Sequence, residues 1–137
     1  MVPRERQTMP ALPLDHLTIL SRDAEASAAW YGALLPKLGF ERTKPGIWRN
    51  ANGLYLQFRT ARTETRPYER YGAGLNHLGF TAPDPAFVEA LAAYMTDLGH
   101  EARLQRFGDG IVALFMPDPD GLRVEVSWYP EGVPPVD

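Results

Sequence analysis

Two histidines and a carboxylate stand at matched places in a weakly repeated sequence. His16 lies in Leu14-Asp15-His16-Leu17-Thr18-Ile19, His77 in Leu75-Asn76-His77-Leu78-Gly79-Phe80, and Glu125 in Gly121-Leu122-Arg123-Val124-Glu125-Val126. The place matching Glu125 in the first copy holds Gln57, in Gly53-Leu54-Tyr55-Leu56-Gln57-Phe58. Two neutral imidazoles and a carboxylate suit a divalent ion such as Zn, Fe, Mn, Co or Ni, and they leave coordination positions open for water or substrate. The chain has no cysteine, so any metal must be held by nitrogen and oxygen. A neutral amide oxygen is a poor ligand, and Gln57 is expected either as a fourth ligand or as a hydrogen bonder beside the ion. Taken singly each of these residues is an ordinary polar strand residue; their shared phase and register point to a metal centre.

The elements that must position them follow from the same repeat. His16 and His77 are 61 residues apart (77 − 16), and Leu38-Gly39 and Leu98-Gly99 are 60 apart (98 − 38). The last strands align at 68 (125 − 57), so the second copy has gained about seven residues. Each histidine strand is followed by a helix opened by an aspartate, Asp23 or Asp84 with Pro85 behind it, and ended by Gly39 or Gly99. The helical stripes are Trp30, Tyr31, Leu34, Leu35 and Leu38 in the first copy, and Val88, Leu91, Met95 and Leu98 in the second. Extended segments including Gly46–Asn50 and Ile111–Met116 then lead through the turns Asn52-Gly53 and Asp120-Gly121 into a last strand. The unit is β-α-β-β-β, used twice. Alternation along the strands puts Leu17, Ile19, Leu54, Leu56, Phe58, Leu78, Phe80, Leu122, Val124 and Val126 toward the helices. His16, Gln57, His77 and Glu125 fall on the opposite face, and they meet if the units pair about a pseudo-twofold axis.

With 137 residues and 45% hydrophobic content the chain fits one domain, at about residues 12–129. Its units span about 12–61 and 74–129, joined by a polar linker at 62–73 and flanked by Pro-rich tails at 1–11 and 130–137. A formal charge of −3 offers no basic footprint for nucleic acid. No stretch has the length of a signal or membrane segment, which makes a cytoplasmic location the default expectation. Trp30, Trp48 and Trp128 read as core or interface residues, and His100, just after a helix-ending glycine, does not align with the ligand positions.

These residues resemble the vicinal oxygen chelate superfamily, the glyoxalase, bleomycin-resistance and extradiol dioxygenase group. The likeness covers about residues 12–129. It rests on the duplicated unit, Asp15-His16-Leu17, Trp30-Tyr31 with Leu38-Gly39-Phe40, Asn76-His77-Leu78, and Asp118-Pro119-Asp120-Gly121 leading to Val124-Glu125-Val126. The resemblance implies an α+β fold in which two βαβββ units form a U-shaped, eight-stranded mixed sheet with helices on its outer face. It also implies a metal that chelates substrate oxygens, and a homodimer. The His, Gln, His, Glu quartet lacks the glutamate that bacterial glyoxalase I carries at the place of Gln57, which argues against that activity. His16, His77 and Glu125 equally satisfy the ligand triad of extradiol dioxygenases and of fosfomycin-modifying enzymes.

Strand alternation also puts Thr18, Tyr55, Arg59, Arg123 and Ser127 on the ligand face. Tyr55, Arg59 and Arg123 are expected substrate contacts, the arginines through their match to a carboxylate or phosphate. Tyr71, on the linker, is a candidate for proton transfer. The expected function is a metal-dependent isomerase, lyase or dioxygenase acting on a small oxygenated substrate. The rival expectation is a metal-free, bleomycin-resistance-type protein that sequesters a small molecule.

Overall fold

A computed structural model describes residues 9–136; residues 1–8 of the expected N-terminal tail and Asp137 of the expected C-terminal tail lie outside the described residues. The first unit runs β1 (His16–Ser21), α1 (Ala24–Leu34), a 3₁₀ turn (Leu35–Leu38), β2 (Phe40–Lys44), β3 (Ile47–Asn50) and β4 (Tyr55–Thr60). The second runs β5 (His77–Thr81), α2 (Pro85–Asp97), β6 (Arg103–Arg106), β7 (Val112–Pro117) and β8 (Arg123–Trp128).

Local chemistry sets the helix ends. The Asp23 carboxylate accepts the Glu25 and Ala26 backbone N–H groups at 3.1 Å each, and Asp84 accepts that of Phe87 at 2.7 Å, with Pro85 in the first turn where its missing N–H costs nothing. Gly39 and Gly99 end the helical segments with φ of 85° and 87°, a conformation that a side chain would disfavour. Of the expected stripe residues, Leu98 does not reach the core. It caps α2, which ends at Asp97, and is 51% exposed.

In each unit the helix returns the chain so that the last strand pairs in parallel with the first, while the intervening strands meander antiparallel. Among the described residues this gives two mixed four-stranded sheets of the same order, β1-β4-β3-β2 and β5-β8-β7-β6. The expected α+β, glyoxalase-like arrangement is therefore present, with its strands shared between two separate hydrogen-bonded ladders. The turn before each last strand is built alike. Asn50 Oδ1 accepts the backbone N–H groups of Asn52 and Leu54 at 3.0 Å each, and Asp118 Oδ1 accepts those of Asp120 and Leu122 at 2.9 Å each. None of the helices is long and apolar enough to cross a membrane, among the described residues.

One apolar cluster holds both units, drawing Ile19 and Leu56 from the first sheet, Leu114, Val124 and Val126 from the second, and both helical stripes apart from Leu98. The halves touch through this helical side. Tyr94 of α2 donates its hydroxyl to the Ala33 carbonyl at 3.1 Å, and Phe40 meets Phe80 edge to face at 5.9 Å. The Asp120 carboxylate accepts the backbone N–H of Arg22 at 3.1 Å. The Arg22 guanidinium holds the start of the linker, donating to the carbonyls of Arg62, Thr65 and Arg66 at 2.9, 3.0 and 3.1 Å.

The most buried of these joints is Tyr31, whose hydroxyl donates to Asp118 Oδ2 at 2.6 Å. Burial raises the Asp118 carboxyl above its ordinary value, against the opposing pull of the Tyr31 hydroxyl and of the two backbone N–H groups. Burial, with the charge of Asp118 beside it, also pushes the Tyr31 hydroxyl far up. Removing the hydroxyl by Tyr31→Phe should destabilise the fold by about 2 kcal/mol at neutral pH, as expected for a lost hydrogen bond to a buried charge. The bond favours ionised Asp118, so its loss raises the folded-state value further above the unfolded one. The deficit must then shrink as pH falls through that raised value and the carboxyl protonates in both proteins. Urea unfolding of the two proteins at about pH 7 and pH 4 checks this, and a deficit independent of pH would contradict it.

Candidate metal centre

Parallel pairing places the four expected residues on the faces turned away from the helices. In the first sheet the rows run His16 beside Tyr55, Thr18 beside Gln57 and Leu20 beside Arg59. In the second, His77 lies beside Arg123 and Gly79 beside Glu125, with Phe115 of β7 on the far side of Glu125. The apolar alternates Leu56, Val124 and Val126 are buried in the shared core, which fixes the register, because a slip of one residue would turn every one of them outward.

Both imidazoles are oriented by the residue that precedes them. His16 Nδ1 lies 2.6 Å from Asp15 Oδ2, and His77 Nδ1 lies 2.8 Å from Asn76 Oδ1. An oxygen acceptor on Nδ1 selects the tautomer whose Nε2 lone pair is free, the arrangement that second-shell partners impose on metal-binding histidines. His77 Nε2 stands 3.5 Å from Glu125 Oε2. This exceeds the usual reach of an N–H···O bond, about 2.7–3.2 Å. It is close to the roughly 3.0–3.4 Å that separates two donors bound to one ion at about 2.1 Å. The pair thus has the chemistry and spacing of two ligands to a common ion.

The corresponding pair in the first unit is built differently. With its amide turned to satisfy its neighbours, Gln57 donates to Thr18 Oγ1 at 3.2 Å, and its oxygen accepts from Arg59 Nη2 at 3.1 Å and Nε at 3.3 Å. The oxygen that would have to ligate is engaged by a guanidinium. At the place of Thr18 the second unit has Gly79, so no hydroxyl competes for Glu125 there. Tyr55 is 37% exposed, with the Arg49 guanidinium 5.8 Å from its ring centroid. Tyr71 is 85% exposed and stacked on Arg70 at 5.1 Å. Arg123 lies over the Phe115 ring at 3.9 Å, and burial, together with the charges of Arg70 and Arg103, lowers its ordinary pKa.

The structure brings His77 together with Glu125, and Gln57 with Arg59 and Thr18. It does not bring His16 to His77 within one chain. Among the described residues no three His, Cys, Asp or Glu side chains gather where they could hold one ion. The reason is the joint between the halves: they share a core on their helical side, so each ligand face looks outward. The sequence reading passed over Asp15 and Asn76 as partners of the histidines, although an oxygen-bearing side chain before His in both copies was a usable signal. It also passed over Phe115 and Arg103, which carry no motif.

The paired βαβββ units, with imidazole and carboxylate on their open faces, define a glyoxalase-like α+β protein. The family model of the Glyoxalase/Bleomycin resistance protein/Dioxygenase superfamily matches residues 13–126, and the chain belongs to that superfamily. The Bacillus subtilis (strain 168) protein YqjT is 29% identical over 123 residues, covering 82% of this chain and 96% of YqjT. A Bacillus halodurans crystal structure aligns with TM-score 0.74 at 27% identity, over 84% of this chain and 94% of its own. Lactoylglutathione lyase from Agrobacterium tumefaciens shares the fold with TM-score 0.64 at 23% identity, over 87% of this chain and 95% of the lyase.

Proposed function

We propose that this chain is a divalent-metal-dependent isomerase, lyase or dioxygenase acting on a small oxygenated substrate. In this reading His77 and Glu125 of one copy and His16 of a second copy hold the ion, one of Fe, Mn, Co, Ni or Zn, in a homodimer. The observation that carries it is the spacing of His77 Nε2 and Glu125 Oε2, 3.5 Å, with both imidazoles turned by Asp15 and Asn76 so that Nε2 is available. A bound ion supplies a Lewis acid for negative charge developing on a substrate oxygen. The chain's own residues do the rest. Gln57, held by Arg59 and Thr18, offers a fixed amide dipole on the same face, one row along the sheet from His16. Tyr55 borders the same face, and Tyr71 on the linker, its ring against Arg70, offers an exposed hydroxyl for proton transfer.

Anaerobically purified protein, stripped and titrated with Fe(II), Mn, Co, Ni and Zn, should take up one ion per chain. Absence of stoichiometric binding by every ion would overturn the enzyme reading in favour of a metal-free binding protein of the superfamily.

A further inference from the structure

Three guanidinium groups gather at the open face of the second sheet, two from its strands and one from the linker, and among the described residues none lies within ion-pair distance of a carboxylate. Arg103 of β6 is in register with Phe115 of β7, which is in register with Glu125 of β8, so the three form one row across the sheet. Arg123 stands in the next row, beside His77. Both arginines cover the Phe115 ring, at 5.4 Å for Arg103 and 3.9 Å for Arg123. Arg70 of the linker lies near enough to act on the charge of Arg123, and its Nε is buried with no hydrogen-bond partner. Among the described residues no carboxylate pairs with any of the three, whereas Arg106, on the opposite face of the same strand, is paired to Glu89 at 2.6 Å.

Collecting like charges on one face is unfavourable unless something neutralises them, and Glu125, whose charge opposes those of Arg70 and Arg103 on Arg123, is one carboxylate against three guanidinium groups. The local excess of cations also runs against the chain's formal net charge of −3. An aromatic ring holds a guanidinium by its flat face and leaves the N–H edge free, while a carboxylate would occupy that edge. Phe115 therefore fixes Arg103 and Arg123 without using their donors. Two residues along β8, about 7 Å, separate Arg123 from Glu125, so a molecule of a few bonds can span from one to the other.

We propose that Arg70, Arg103 and Arg123 form an oxyanion site that holds the charged end of the substrate, a phosphate, phosphonate or carboxylate, while its other oxygens reach His77 and Glu125. As a statement about substrate this rests on the metal-centre reading; as a statement about anion binding it does not. The substrate class is then a small molecule with one strongly anionic group a few bonds from the oxygens that react.

The test is a titration of metal-free, full-length protein with inorganic phosphate, methylphosphonate or malonate, at constant ionic strength, followed by ¹⁵N NMR. Saturable shifts are expected at residues 70, 103, 115 and 123 with at least one probe, and affinity should fall tenfold or more in Arg103→Ala and in Arg123→Ala. Arg106→Ala should bind as wild type. If Arg123→Ala fails to fold, Arg123→Lys keeps the charge and stem but loses the forked geometry and should still weaken binding. Tighter phosphate and methylphosphonate binding assigns a phosphoryl-type group, tighter malonate binding a carboxylate. No saturable shift with any probe, or an equal loss in Arg106→Ala, overturns the inference. Metal uptake, measured separately, distinguishes the two readings: anion binding without metal uptake sinks the metal centre alone, and metal uptake without anion binding sinks this site alone.

Discussion

Mixing His16→Ala chains with His77→Ala chains should restore metal binding that neither variant has alone. Each variant on its own leaves every composite site short of an imidazole. In a mixed pair, one site loses both histidines and the other keeps both, because its first-unit face comes from the His77→Ala chain and its second-unit face from the His16→Ala chain. Random reassociation makes about half the dimers mixed, and one of their two sites is whole, so about one quarter of the wild-type metal should return. Metal analysis after joint unfolding and refolding reads this directly. Zero recovery, with both variants folded and dimeric, would mean that the ion is not shared between chains. The experiment follows from the joint described above: each chain turns its two ligand faces away from a common core, so a site built from both needs a second copy.

The second large effect concerns residues that never touch the ion. Replacing Asp15 or Asn76 by Ala removes the acceptor that sets the tautomer and ring orientation of the neighbouring histidine. Each change should weaken metal affinity by about 10–100-fold, the usual cost of losing an outer-shell partner of a metal-bound histidine. Chelator competition on the wild type and the two variants measures it. Glu89→Ala, which removes a carboxylate on the helical side, serves as the control and should leave affinity unchanged. If Asp15→Ala and Asn76→Ala both bind as tightly as the wild type, the close Nδ1 contacts are surface pairings without a part in the metal centre.

Much of this was legible because the sequence repeats. Alternation separated the open face of β1, β4, β5 and β8 from the face that packs on the helices, and Asp23, Asp84, Gly39 and Gly99 marked the helix limits by chemistry that needs no tertiary context. What the sequence left unread depended on contacts between elements. Tyr31, Asp118, Phe40 and Phe80 join the halves, yet each reads as an ordinary core or turn residue, so the outward aim of the two ligand faces could not be inferred. β6 carries Arg103-Leu104-Gln105-Arg106, every residue exposed, and shows little of the apolar alternation that reveals a strand. Its arginine acquires a neighbour on Phe115 only through the sheet register. Leu98 misled by periodicity: the spacing continued one residue past the point where α2 stops.

The Tyr31–Asp118 contact also marks where the two repeated units differ. Asn50 and Asp118 close equivalent turns with equivalent hydrogen bonds, but only Asp118 receives a hydroxyl from the helix of the other half. The residue 61 positions after Tyr31, as Asp84 is after Asp23, is Ala92, which has no group to offer Asn50 in return. The lock is one-way. Two first halves, or two second halves, lack either the key or the slot, so a pairing of like halves forgoes this buried hydrogen bond. The two halves are alike in fold but polarised at this joint, where one offers a buried hydroxyl and the other the carboxylate that accepts it.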